Sequence, residues 1–230
     1  MSGAYLFLGP SLDAESARTA AAEAGLDVTV LPPVGRGDLD ALVADDPTAA
    51  VGIVDGRFMH TLAVSPKEVM RALGAGVAVY GSSSMGALRA AECHRYGMVG
   101  VGRVFELFRD GVIDADDEVG ISFDPETLRA TSEPMVNIRV AMQWATSEGL
   151  LGTRTAHTVL REAKKLYFPD RTYANVGAVM RHAGLVDADE LARYATFVSG
   201  PHVPDQKRAD ALALIGRMAS GHPSADLSRP

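Results

Sequence analysis

The chain has 230 residues, 47% of them hydrophobic, with 22 Lys and Arg against 29 Asp and Glu for a formal net charge of −7. That length buries a sizeable core, as one large domain or as an α/β unit with a helical extension. The acidic balance argues against a nucleic-acid protein, because the basic footprint for a phosphate backbone is missing.

The opening MSGAYLFLGP holds an apolar run too short for a signal-peptide core or a membrane span. Cys93 is the single cysteine, which excludes an internal disulfide framework and suits a reducing cytosol. A soluble cytoplasmic protein without a membrane partner is therefore expected. Short apolar runs at 4–8, 27–31, 50–54 and 77–80 each end at a break: Gly9-Pro10, Pro32-Pro33, Asp55-Gly56 and Gly81. Helix-like stretches at 12–24, 36–45 and 65–74 separate them. The third has a start signal, with Ser65 at the N-cap, Pro66 at N1 and Glu68 at N3. Fully apolar strands alternating with helices predict a parallel sheet covered by helices, a Rossmann-like α/β half.

From about residue 103 the pattern turns helical, over roughly 103–110, 125–131, 134–148, 153–167, 172–183, 187–198 and 203–219. No internal repeat is visible. The expected organisation is an α/β region over 1–102 that carries the active site, a helical region over 103–219 packed on it, and a disordered tail at 220–230.

In an open parallel sheet, ligands bind outside the carboxyl ends of the strands. Four features fall on that edge: Gly9-Pro10-Ser11, the loop from Asp55 to His60, the helix start at Ser65-Pro66-Lys67-Glu68, and the turn at 81–86. In GSSSMG, Ser84 has Ser82 two residues before it and Gly86 two residues after. This is the small-x-Ser-x-small spacing of a nucleophile elbow, where a sharp strand-to-helix turn exposes the serine oxygen. The amide after the serine, that of Met85, then stands where an oxyanion forms, reinforced by the helix N-terminus. The competing reading is a serine that merely caps the helix. Two bases are compatible with the spacing: Lys67, in the first turn of the helix after the third strand, or His60 oriented by Asp55.

Other stretches carry less. DGVIDADDEVG gathers Asp114, Asp116, Asp117 and Glu118 without the alternation of a calcium loop, and reads as a solvated turn. Arg89 and Glu92 are spaced to pair with each other or with substrate, and Cys93 reads as inert packing. The six histidines have no metal-ligand spacing, and there is no Walker or Gly-x-Gly-x-x-Gly loop. Neither a metal nor a cofactor is expected.

The strings VGIVDGRF, SPKEVMRALGAGVAVYGSSSMGALRAAEC, YGMVGVGRVFELFRDGVIDADDEV, SEPMVNIR, AKKLYFPDRTY and DQKRADAL together resemble the TfuA-like family, most densely over 50–120. The resemblance implies a protein that works beside a YcaO-type enzyme in thioamidation of a peptide backbone. It implies hydrolysis of the C-terminal thiocarboxylate of a ThiS-like sulfur carrier protein, contact with carrier, YcaO partner and precursor peptide, and a Ser-Lys catalytic pair. Carried onto this chain, the pair is Ser84 and Lys67, with Met85 and Gly86 at the oxyanion and Asp55, Arg89 and Glu92 as wall or orienting residues. The chain departs from the family at Ser82 and Ser83, where small apolar residues are usual, leaving Ser83 as an alternative to Ser84. It departs again at Pro66, before the lysine. A non-catalytic adaptor that docks carrier and peptide onto the YcaO enzyme is the competing function, with KKLYFPDR and DQKRADA as basic docking surfaces. A Ser-His-Asp esterase is the third.

Overall fold

The structure, a computed structural model, describes residues 3–57 and 62–221. Five parallel strands form its sheet: β1 (Ala4–Phe7), β2 (Val28–Leu31), β3 (Ala50–Ile53), β4 (Ala78–Ser82) and β5 (Val99–Val101), in the order β2-β1-β3-β4-β5. The helices are α1 (Ala14–Glu23), α2 (Asp38–Asp45), α3 (Pro66–Gly74), α4 (Met85–Cys93), α5 (Arg103–Arg109), α6 (Met135–Ser147), α7 (Thr153–Lys165), α8 (Tyr173–His182), α9 (Ala188–Val198) and α10 (Gln206–Gly221). No helix among the described residues is long and apolar enough to cross a membrane.

The chain divides into two compact units. One takes in the described residues up to Asp114 together with those from Lys207 on; the other is Ala115–Gln206. The boundary expected after residue 102 is not where they divide, because α5 and α10 belong with the sheet. Leu214, Ile215 and Met218 of α10 are buried in one cluster with Leu6, Leu8, Val54 and Tyr80 of the sheet and Leu12, Ala17 and Ala21 around α1. Apolar residues at helical spacing on α10 find the apolar face of the strands, and sequence distance does not prevent it.

Within the sheet unit, the start of α3 forms as its residues predict. Ser65 and Glu68 make a reciprocal capping box with Pro66 at the first position. The Glu68 carboxylate also accepts the Gly37 amide at 2.7 Å, which ties the starts of α2 and α3 together. β5 was not expected. Its three residues pair with Tyr80, Gly81 and Ser82 of β4.

In the helical unit α6 to α9 bury Met135, Ile138, Met142, Val159, Val176, Met180 and Tyr194 against one another. Trp144 stacks on Phe197 with ring centroids 5.8 Å apart. The helix expected over 125–131 is absent. Asp124 accepts the amides of Glu126 and Thr127 at 3.0 and 2.8 Å, Leu128 takes a φ of 56°, and Phe123 bridges to Ala130. The residues that resemble a helix start, Asp124-Pro125-Glu126, instead close a turn on themselves, an alternative that a short acidic side chain always offers the backbone.

Candidate functional site

The turn from β4 into α4 is shaped by close backbone approach. A Cβ on Gly81 would lie 2.2 Å from the Gly86 carbonyl oxygen, and one on Gly86 would lie 1.7 Å from that of Ile53. Only glycine at both places lets the first turn of α4 press against the ends of β3 and β4. The three serines between them have three different environments. Ser82 Oγ donates to the carbonyl of Asp210 at 3.0 Å. Ser83 is fully buried with a φ of 65°, and its Oγ has no hydrogen-bond partner among the described residues. The Ser84 amide reaches back to the Ser82 carbonyl at 2.7 Å. That closes a γ-turn of the rare positive-φ kind around Ser83, a strained shape that costs about 1–2 kcal/mol for a non-glycine residue.

Ser84 occupies the N-cap of α4, yet its side chain makes no capping hydrogen bond. A serine that served as a cap would accept an amide of the first turn, so the capping reading does not describe this hydroxyl. Its backbone carbonyl takes the amides of Ala87 and Leu88 at 3.0 and 3.2 Å. Ser84 keeps 3% of its surface exposed, against 0% for Ser83.

The two expected oxyanion donors separate. The Gly86 amide donates to the Val54 carbonyl at 3.2 Å, so it is not free for an oxyanion, and glycine is required there for packing. The Met85 amide lies in the first helical turn, where amides have no intrahelical acceptor, while its side chain is buried against Gly56.

Asp55 is not an open wall residue. It sits where strand order reverses between β1 and β3, is 2% exposed, and uses both carboxylate oxygens on the loop after β1. One accepts the amides of Gly9 and Ser11 at 2.9 and 3.1 Å; the other accepts Ser11 Oγ at 2.6 Å. In doubly wound sheets this crevice is the usual ligand position. Here a carboxylate of the chain itself holds those amides, and Ser11, placed on this edge by the sequence without a role, is part of the brace.

Lys67 stands at the second position of α3, exposed, and makes no hydrogen bond or ion pair among the described residues. It shares the carboxyl edge of the sheet with Ser84, and no bond joins them. Helix α4 meets the segment leading into α3 through its second and third turns instead. Arg89 Nε donates to the Val64 carbonyl at 2.8 Å, and Cys93 Sγ lies 3.9 Å from that of Pro66. Arg89 also pairs with Glu92 at 2.5 Å, the pairing its spacing predicts. Burial pushes the Cys93 thiol above its ordinary value, in keeping with inert packing. His60 lies outside the described residues.

Two carboxylates of the acidic run, Asp117 and Glu118, belong to an ion-pair network, while Asp114 and Asp116 are exposed as a solvated turn would have them. Glu118, 3% exposed, takes Arg139 at 2.8 and 2.9 Å and Lys164 at 2.8 Å. Asp117 takes Lys164 at 2.7 Å and Arg171 at 2.8 Å. Burial works to raise both carboxyls, and their cationic partners more than offset it, holding both below the usual carboxylate range. No cluster suited to a metal ion occurs among the described residues. Two basic residues read as surface are buried instead: Arg171 at 1% exposure and Lys207 at 2%. Arg171 also donates to the carbonyls of Ala163 and Asp117 at 3.0 and 2.9 Å. The signal for it was the break in helical pattern at FPDRT, where freed carbonyls need a donor.

A family model described as TfuA-like protein matches residues 55–172, just over half of the chain. The match begins at the Asp55 brace and runs through the serine turn to the Arg171 network. No curated protein matches the chain.

Proposed function

This chain belongs to the TfuA-like family, which is associated with YcaO-type systems and thioamidation, and on that premise we propose that it hydrolyses the C-terminal thiocarboxylate of a ThiS-type sulfur carrier protein. The sulfide released would serve a YcaO-dependent thioamidation of a peptide. The observation that carries the reading is the state of Ser84: a hydroxyl at a strand-to-helix turn, at the head of a helix, not used as a cap. In this mechanism Ser84 Oγ attacks the thiocarboxylate carbon and Lys67 takes its proton. The Met85 amide and the α4 N-terminus favour the oxyanion. The C–S bond breaks, its electron pair leaves on sulfur, and the serine proton follows it as hydrosulfide. Water then hydrolyses the acyl-serine ester and restores the hydroxyl.

A second reading has one observation in its favour. Lys67 is exposed and unbonded to Ser84, as expected if the protein is an adaptor that docks carrier and peptide onto the YcaO enzyme without catalysis. Thiocarboxylated carrier mixed with this protein alone separates the two. Hydrolysis predicts sulfide release, with Ser84→Ala and Lys67→Ala each lowering kcat by about a hundredfold or more at unchanged melting temperature. Full release by both variants rejects the Ser-Lys assignment. Loss in His60→Ala with Lys67→Ala active transfers the base role to His60.

A further inference from the structure

The helical unit has a polar cleft that no step of the proposed reaction uses. Its volume is about 480 Å³, and it is lined by Thr153, Arg154, His157, Thr158 and Arg161 of α7 and by Leu185, which follows α8. α7 buries Thr155, Ala156, Val159 and Ala163 on its packed side. Arg154, His157 and Arg161, spaced by three and four, share its exposed side.

The charge of this cleft is one-sided. None of the described residues lining it is acidic. The side chains of Arg154 and His157 make no hydrogen bond or ion pair among the described residues. Arg161 pairs with Glu162 at 2.8 Å, but that carboxylate also takes Lys165 at 2.9 Å, and an exposed cation gains little from such a pair. Arg154 stands at the second position of α7, the positive end of the helix, where a cation is disfavoured. Glu190, the carboxylate at that helix start, is already committed to the Gly152 amide and to Arg193.

Cations that line a concave site and lack a partner in the chain suit an anion, and the guanidinium fork matches the oxygens of phosphate. At 1.5 Å of rise per residue, the Cα atoms of Arg154 and Arg161 stand about 10 Å apart along α7, with His157 between them. Two linked phosphoryl groups fit that spread better than one. The cleft falls within the size range of small-molecule sites and exceeds a bare diphosphate, and Leu185 offers an apolar wall to an organic group.

We propose that this cleft binds a small organic molecule carrying a diphosphate, with Arg154 and Arg161 on the two phosphoryl groups and His157 between them. The site uses no residue of the serine turn and does not depend on the hydrolase reading.

Calorimetric titration of the full chain with inorganic pyrophosphate, and with ADP as an organic diphosphate, tests it, with a melting curve for each variant. The expected result is saturable binding of both with Kd below about 1 mM. Arg154→Gln should weaken it about tenfold or more, and Arg161→Gln by less, because Arg161 must first leave Glu162. Arg129→Gln, exposed in the same unit and outside the cleft, should bind as wild type does. Wild-type affinity with both cleft arginines replaced overturns the assignment. Equal loss in Arg129→Gln also overturns it, because binding would then follow net charge alone. Pyrophosphate binding without ADP binding overturns the organic part. Binding of a Glu-rich peptide in place of either diphosphate, lost in Arg154→Gln, overturns the small-molecule assignment and gives the cleft to an acidic segment of a partner protein.

Discussion

The two units use carboxylates for different purposes. In the sheet unit, Asp55, Glu68 and Asp210 accept backbone amides: Gly9 and Ser11, Gly37 and Ser65, Arg103 and Val104. In the helical unit, Asp117 and Glu118 accept Lys164, Arg139 and Arg171. The difference has a physical reason. Loops and helix starts crowd the carboxyl edge of a parallel sheet, and their unpaired amides require acceptors. The helical unit instead holds an irregular segment, ahead of α6, in place with long cationic side chains. Charge in the first unit fixes loops and helix starts around the sheet; in the second it fixes one segment on another.

Removing the cation at the centre of the second network should cost most. Arg171→Met leaves the carbonyls of Ala163 and Asp117 and the Asp117 carboxylate without their donor, a loss of about 3–4 kcal/mol in urea unfolding. A change under 1 kcal/mol would mean that packing alone holds this segment. The same network predicts an acid limb. Asp117 and Glu118 have folded pKa values below their unfolded ones, so their contribution is full above the unfolded carboxylate range and is lost as pH falls through the folded values. Unfolding free energy should therefore drop below about pH 4, and the drop should be shallower in Arg171→Met.

Asp55→Ala should cost slightly less, about 3 kcal/mol, because the amides of Gly9 and Ser11 lose an ionised acceptor while buried. Sulfide release should fall with it, through displacement of the loop at the β1–β3 crevice. A stable Asp55→Ala protein of wild-type activity would show that the brace is dispensable to the edge. The smallest effect has the opposite sign. Ser83→Gly removes an unpartnered hydroxyl and relieves a φ of 65°, which should stabilise the protein by about 1 kcal/mol after glycine's entropy cost. Sulfide release should persist, since Ser84 is the proposed nucleophile; its abolition would hand that role to Ser83.

The candidate site was partly legible. The spacing around Ser84 admitted both a serine exposed at a sharp turn and a helix cap; the sharp turn was legible because small residues there answer a local demand for space, and the lack of a capping bond was not. It misplaced Gly86 and Asp55 as free groups, because their partners, Val54 and the Gly9-to-Ser11 loop, come from other strands. It read Arg171 and Lys207 as surface, because a basic residue between polar neighbours looks solvated until distant segments close over it.

What the sequence determined alone is what local forces decide: the first four strands with their breaks, the Ser65–Glu68 capping box, and most helix stops. Tertiary structure decided the rest. β5 is a strand because β4 pairs with it, although Val-Gly-Val has little preference of its own and Gly100 lies under the Phe105 ring. α10 joins the sheet because its apolar face fits there. The strained turn at Ser83 persists because the ends of β3, β4 and α4 hold it from several sides, and no local preference of serine would produce it.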